Sequence, residues 1–386
     1  MTKLGSYHIV NVSKYFKTIE DFINLTFVCK KYSSCTEKFD FNPIPLTNKT
    51  FKYFPKMKIL HLWKKEDENF GNGFIIKEKD VNYEDINKGR EIILKKDFDG
   101  IVVWFEVIYA TYEKNKNPNI KLKNVIYTKN DRIKFGNEIP KGVTKLDEGC
   151  FRDCKELHNV EIPFGVSAIY PGCFYDCNFI DKVTIPPSVR YINSYSFFRM
   201  SQFRNFCFFK CANLCYLTIP SIVQVISEQC FDKCIKLRNV TLPSKLVSIE
   251  KKRFYKCSSI ESLNIPLGVT ELGQYCFYKC KGLRSVTIPS SLTIINNFFT
   301  YCLKLHDIII PSSVVSLGYH CFRECNIESV VIPSSQSEQC YDTINVISLG
   351  ESCFECCGNL SEIDIPSSVK SIGDGCFDSH TLVNKK

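Results

Sequence analysis

Residues 265–288 read Ile265-Pro266-Leu267-Gly268-Val269-Thr270-Glu271-Leu272-Gly273-Gln274-Tyr275-Cys276-Phe277-Tyr278-Lys279-Cys280-Lys281-Gly282-Leu283-Arg284-Ser285-Val286-Thr287-Ile288. The same pattern runs on to both sides. Its Ile-Pro dipeptide recurs at Ile139, Ile162, Ile185, Ile219, Ile265, Ile288, Ile310, Ile332 and Ile365, and Leu242-Pro243 fills the one gap. Successive prolines are 23, 23, 34, 23, 23, 23, 22, 22 and 33 residues apart. A period of about 20–29 residues is the mark of a solenoid, in which no coil buries its apolar face alone and stacking does so.

The positions within one unit have separate jobs. Leu283, Val286 and Ile288 point into the coil and Thr287 points out, which makes a short half-buried strand. Pro289 ends it, because proline donates nothing to a ladder. Phe277 fills the far side, over Val269 and Leu272. The fold expected is an α/β repeat solenoid: a leucine-rich-repeat stack of about ten 22–23-residue coils, one short strand each, plus an N-terminal cap. Two steps are longer by about half a coil. The insertion at 201–211 is apolar and reads as a duplicated half-unit; that at 334–345 is polar and is expected to protrude.

The unit resembles the BspA-like class of leucine-rich repeats, over residues 139–380. The resemblance implies non-enzymatic interaction surfaces, and, as an alternative role, a cell-surface adhesin. The run from Tyr7-His8-Ile9-Val10 through Asp21-Phe22-Ile23-Asn24-Leu25 to Val28-Cys29-Lys30-Lys31-Tyr32 looks like the leader of amoebic, protozoan members. It is also similar to an F-box, which implies a substrate adaptor of a ubiquitin ligase. The domains expected are a helical leader over 1–40, an irregular cap with degenerate repeats over 41–138, the solenoid over 139–380 and a tail over 381–386. Within the first part, Ile9, Val12 and Phe16 recur at helical spacing, as do Phe22, Leu25 and Cys29, and Thr18 with Asp21 marks a helix start. Strands are expected near 59–63, 92–94, 101–109 and 124–127, with a loop over 64–91.

Composition narrows the function. The 386 residues carry a net charge of +9 and are 44% hydrophobic, which excludes bulk disorder. The longest apolar run, Ile101 to Phe105, stops at Glu106, far short of the ~18 residues of a membrane span. The N-terminus has no apolar signal-peptide core, so a cytoplasmic location with reduced thiols is expected, the cell surface being the location that the resemblance implies. Lysines and arginines are scattered rather than clustered, so no nucleic-acid partner is expected.

Most of the 22 cysteines fall in two columns. Cys150, Cys173, Cys207, Cys230, Cys276, Cys321, Cys353 and Cys376 precede the phenylalanine. Cys154, Cys177, Cys211, Cys234, Cys257, Cys280, Cys302, Cys325 and Cys357 follow it by three. One Cys-x-x-x-Cys per coil, without partner histidines, is not a zinc spacing. Arg253 and Phe298 replace the first-column cysteine, and Met200 and His380 the second. The columns therefore read as buried thiols that pack as small apolar groups, with no metal and no cofactor. The six histidines are scattered, and Gly71-Asn72-Gly73 opens no dinucleotide site, so no catalytic residue is assigned and the chain is expected not to be an enzyme.

Two surfaces remain as candidates. The outward strand positions Glu161, Thr184, Tyr216, Thr218, Thr241, Asn264, Thr287, Asp307 and Asp364 form the expected face for a protein partner, since solenoids bind along extended strand surfaces. Lys245, Lys251, Lys252 and Lys256 form the densest basic patch, which reads as a solvated turn or, as the alternative, a docking spot for an acidic partner. A monomer is expected, acting as an interaction scaffold.

Overall fold

Proline and two left-handed residues close most of the described coils. The strand Ser262–Asn264 ends before Ile265-Pro266, and the Pro266 carbonyl accepts from the Val269 N–H at 3.0 Å to turn the chain. A second strand, Glu271–Leu272, follows. Tyr275 (φ 60°) and Lys279 (φ 58°) then swing the backbone around Phe277, and Leu283 leads into the next strand, Ser285–Thr287. The structure, a computed structural model, describes residues 6–28, 32–72, 95–192, 207–226, 228–333 and 346–385. The expected strand near 92–94, most of the 64–91 loop, Met200 and the 334–345 insertion lie outside the described residues.

The chain divides into two compact units, 1–126 and 127–386. In the second unit the long strands pair in parallel and in strict register: Asn159 with Lys182, Tyr216 and Asn239 in turn, and Ser262 with Ser285. The short strands do the same, Ser248 with Glu271 and Ile249 with Leu272. The stack of coils is as the repeat predicted, but each coil carries two strands rather than one. The second strand is two residues long, too short for any alternation to show. Coils turn through loops instead of helices; the described helix in this unit is α4 (Lys129–Phe135), held by a reciprocal Thr128–Asp131 capping box that the sequence reading missed.

Inside, the phenylalanines form one column. Phe151, Phe174, Phe208, Phe231, Phe254, Phe277, Phe299, Phe322, Phe354 and Phe377 stack with centroids 5.2–5.8 Å apart and planes within 18°. The first of them is met by Tyr127 at 6.2 Å. Phe208 stacks directly on Phe174, so the stack continues across the first long step, and Phe354 on Phe322, so it continues across the second. Each second-column thiol but the first donates to the phenylalanine carbonyl of the coil before: Cys177 to Phe151 at 2.8 Å, Cys257 to Phe231 at 3.0 Å, Cys280 to Phe254 at 3.2 Å. Arg253, in the first column, is wholly buried and donates to the Ser248 carbonyl at 3.3 Å while facing the Glu250 carboxylate at 3.3 Å.

The first unit is built separately. Helix α1 is Ser6–Ser13 and α2 is Ile19–Val28. The Thr18–Asp21 start is real: Asp21 Oδ2 accepts from the Thr18 N–H at 2.9 Å, and Thr18 Oγ1 accepts from the Asp21 N–H at 3.3 Å. Phe22 is buried edge-on against Phe16, Phe39 and Phe54. Strands β1 (Ile59–Leu62), β2 (Gly100–Ile108) and β3 (Ile120–Tyr127) pair in parallel, with α3 (Tyr109–Lys114) after β2. Trp63 stacks on Trp104 at 5.2 Å beside His61. Among the described residues no helix is long and apolar enough to cross a membrane.

Removing one ring from the column leaves a hole that the stacked neighbours cannot fill. Phe254→Ala is expected to lower the unfolding free energy by about 4 kcal/mol in urea titration. Phe179→Ala, at a 43% exposed ring, is expected to change it by less than about 1 kcal/mol.

Candidate functional site

The strand register carries the outward side chains into rows. Glu161, Thr184, Thr218 and Thr241 stand side by side on four paired strands, and Lys182, Tyr216 and Asn239 form the parallel row next to them. Asn264 pairs with Thr287, and Asp307 with Ser329, whose hydroxyl donates to the Asp307 carboxylate at 3.1 Å. Asp364 pairs with Asn384, which donates to it at 3.3 Å. All nine candidate residues are exposed, with the intervening valine, leucine or isoleucine inside or half-buried.

Two open clefts lie along this face. One, of about 1280 Å³, is lined by Glu161, Thr184, Lys182, His158 and Phe164 among others. The second, of about 620 Å³, is lined by Thr241, Asn264, Asn239, Ser262 and Leu267. Phe164 and Leu267 are both 76% exposed. They occupy the position after the coil's proline, where Ser221, Ser244, Ser290 and Ser312 stand in other coils. That departure from serine is the signal that sequence reading overlooked. Ile309 and Val331, paired across adjacent strands, add a second exposed apolar spot.

The basic patch is split by the fold. Lys245 sits on the Pro243 turn, ahead of the strand Ser248–Ile249, and Lys251, Lys252 and Lys256 sit on the aromatic turn after it. Lys252 and Lys256 are left-handed (φ 54° and 59°), and their ammonium groups lie 5.7 and 5.2 Å from the Tyr255 ring centre. Asp232 is buried in the turn of the preceding coil. Burial pushes its carboxyl up to about 6, against the pull of Lys233, Lys252 and Lys256.

Most of the described column thiols are buried in a setting that disfavours the thiolate. Burial drives Cys177 and Cys276 up to about 12 and raises most of the other column cysteines as well, whereas a hydrogen bond from Cys353 lowers Cys376. Metal binding and nucleophilic attack need the thiolate, which the raised groups do not supply at neutral pH. Among the described residues no group of three His, Cys, Asp or Glu side chains is placed to hold a metal ion. The histidines stay apart: desolvation lowers His61 to about 4 in the first unit, while His158 faces Asp181 at 3.7 Å and His306 faces Glu328 at 3.6 Å.

Comparison with known families settles the lineage of these coils. The family model described as BspA type leucine rich repeat region matches residues 129–206, 201–328 and 293–385, in six copies. The chain belongs to the BspA-type leucine-rich repeat family. Similar solved structures include a leucine-rich repeat protein from Bacteroides ovatus, 24% identical over 64% of this chain with a TM-score of 0.49; this chain spans 65% of that one. Others are a leucine rich cell surface protein from Faecalibacterium prausnitzii (21% identical, 74% of this chain and 81% of that one, TM-score 0.34) and the pneumococcal vaccine antigen PcpA (17%, 75% and 68%, TM-score 0.31). No curated protein matches the chain.

Asp232 gives these repeats a pH signature. Folded, it keeps its proton up to about pH 6; unfolded, it releases it near the ordinary 3.8. The folded state therefore binds more protons in that window, and stability falls as pH rises through it, by about 2–3 kcal/mol. Asp232→Asn is expected to remove this slope and to raise stability at pH 7 by about 2 kcal/mol, read by urea titration at pH 4, 5 and 7.

Proposed function

We propose that this chain is a non-enzymatic scaffold that binds a protein partner along the strand face of its repeats. The two clefts on that face, each rimmed by an exposed apolar side chain, carry the reading. Phe164 and Leu267 offer contact area where most other coils offer serine, Lys141 and Pro187 being the two further departures, and Tyr216, 53% exposed between Lys182 and Asn239, is a ring of the type that dominates binding energy. The threonine and asparagine rows around them are short, so little rotamer entropy is lost when they pair with a partner backbone. These groups suit hydrogen bonding rather than proton transfer, which supports recognition over catalysis.

The thiols support a folded state without disulfides. Each of the twenty described cysteines is unpaired. Eight second-column thiols spend their hydrogen on a phenylalanine carbonyl, and a disulfide would take that donor away.

A photo-crosslinking residue placed at Tyr216, Phe164 or Leu267 in the native cell is expected to capture one common protein, and one placed at Lys370 is not. With that protein purified, Tyr216→Ala and Phe164→Ala are each expected to weaken binding about tenfold. Equal crosslinking from all four positions, or unchanged affinity, would overturn the reading. In a separate check, a thiol reagent at pH 8 is expected to label Cys356 and Cys215 promptly among the described cysteines. The buried columns are expected to react only after urea is added.

A further inference from the structure

Four lysines that are far apart in sequence become collinear in the fold. Lys210, Lys233, Lys256 and Lys279 recur at steps of 23, each just before a second-column cysteine. All four are left-handed, with φ of 58°, 62°, 59° and 58°, so their side chains leave the backbone in the same direction. Their register is held by hydrogen bonds from coil to coil: the N–H of Lys210 donates to the Asp232 carbonyl at 2.9 Å, Lys233 to Tyr255 at 2.8 Å and Lys256 to Tyr278 at 2.8 Å. A left-handed lysine is less stable there than glycine or asparagine, by about 1 kcal/mol, and the companion turn position does use Gly149, Gly172, Asn297 and Gly375.

The side chains are half-buried and held in place. Lys210 and Lys233 lie 5.7 and 5.1 Å from the Phe209 ring centre, Lys256 5.2 Å from Tyr255, and Lys279 5.2 and 4.7 Å from Tyr278 and Tyr301. The column has two counter-charges: Asp176, 3.9 Å from Lys210, and buried Asp232, which acts on Lys233 and Lys256. It is bounded by acids in the same turn position, Asp153 and Asp176 before it and Glu324 after Tyr301.

We propose that Lys210, Lys233, Lys256 and Lys279 form a linear site for a sulfated polysaccharide, with one anionic group met per coil. This site is on the aromatic turns and does not depend on the strand-face reading. Its lysines recur at the coil rise of about 4.8 Å, and a sulfated polysaccharide carries anionic groups on both edges of its chain, so successive lysines can each meet one. An extended acidic peptide offers same-face carboxylates only every second residue, about 6.7 Å apart. Single-stranded nucleic acid needs free ring faces for its bases, and here Tyr255 and Tyr278 stack on each other at 4.9 Å.

The test is titration of the full chain with a heparin octasaccharide, and with poly-glutamate and a single-stranded oligonucleotide of matched charge. The expected result is tightest binding to heparin. Lys→Gln at all four positions is expected to weaken it about 30-fold while the protein stays folded at the assay temperature, as read by circular dichroism. Lys→Gln at Lys129, Lys134, Lys245 and Lys370, with the same loss of charge, is expected to weaken it less than about threefold. Asp232→Asn, which removes an internal counter-charge, is expected to strengthen it. Absence of heparin binding, tighter binding to either competitor, equal losses in the two quadruple variants, or no gain in Asp232→Asn would each overturn the proposal.

Discussion

A thiol proton shared with a carbonyl in the neighbouring coil sets the terms for the rest of this structure. The turn after each phenylalanine leaves its C=O facing the next coil, inside an apolar interior where an unmet acceptor is expensive. Cysteine meets it while packing as a small apolar residue. Serine would donate as well, but with a hydroxyl that is costlier to dehydrate, and valine would not donate at all. Because donor and acceptor are always one coil plus three residues apart, the bond recurs only if the coils stay in register, and the phenylalanine stack, spaced to match, reinforces the same register.

Register is what turns sequence period into surface. With each coil directly above the last, a position that repeats every 22 or 23 residues becomes a straight row. The inward rows make the core. The outward rows are free to differ, so a polar strand face with clefts at Phe164 and Leu267 and a lysine row on the aromatic turns occur on one stack of coils.

What could be read in the sequence was whatever repeats or acts locally. The proline period gave the coil, alternation at Val286-Thr287-Ile288 gave the long strand, and Thr18 with Asp21 gave a helix start. The Glu271–Leu272 strand could not be read because two residues hold no alternation. The bond from Cys280 to the Phe254 carbonyl spans 26 residues and exists only once coils are stacked. The lysines at 210, 233, 256 and 279 look scattered in one dimension, and Phe164 is unremarkable until compared with the serines of its own column. The pairing of β1 with β2 joins Ile59 to Gly100, a separation that local pattern does not encode.

The S–H stretching band in the Raman spectrum of the reduced protein tests the thiol–carbonyl ladder most directly, because its frequency falls when the proton is donated. The ladder predicts that at least the share of the band due to its eight thiols, of the 22 in the chain, lies at the lowered, hydrogen-bonded frequency and moves to the solvent-exposed value on unfolding in urea. A folded protein whose thiols all absorb at the frequency of a free S–H group would contradict it.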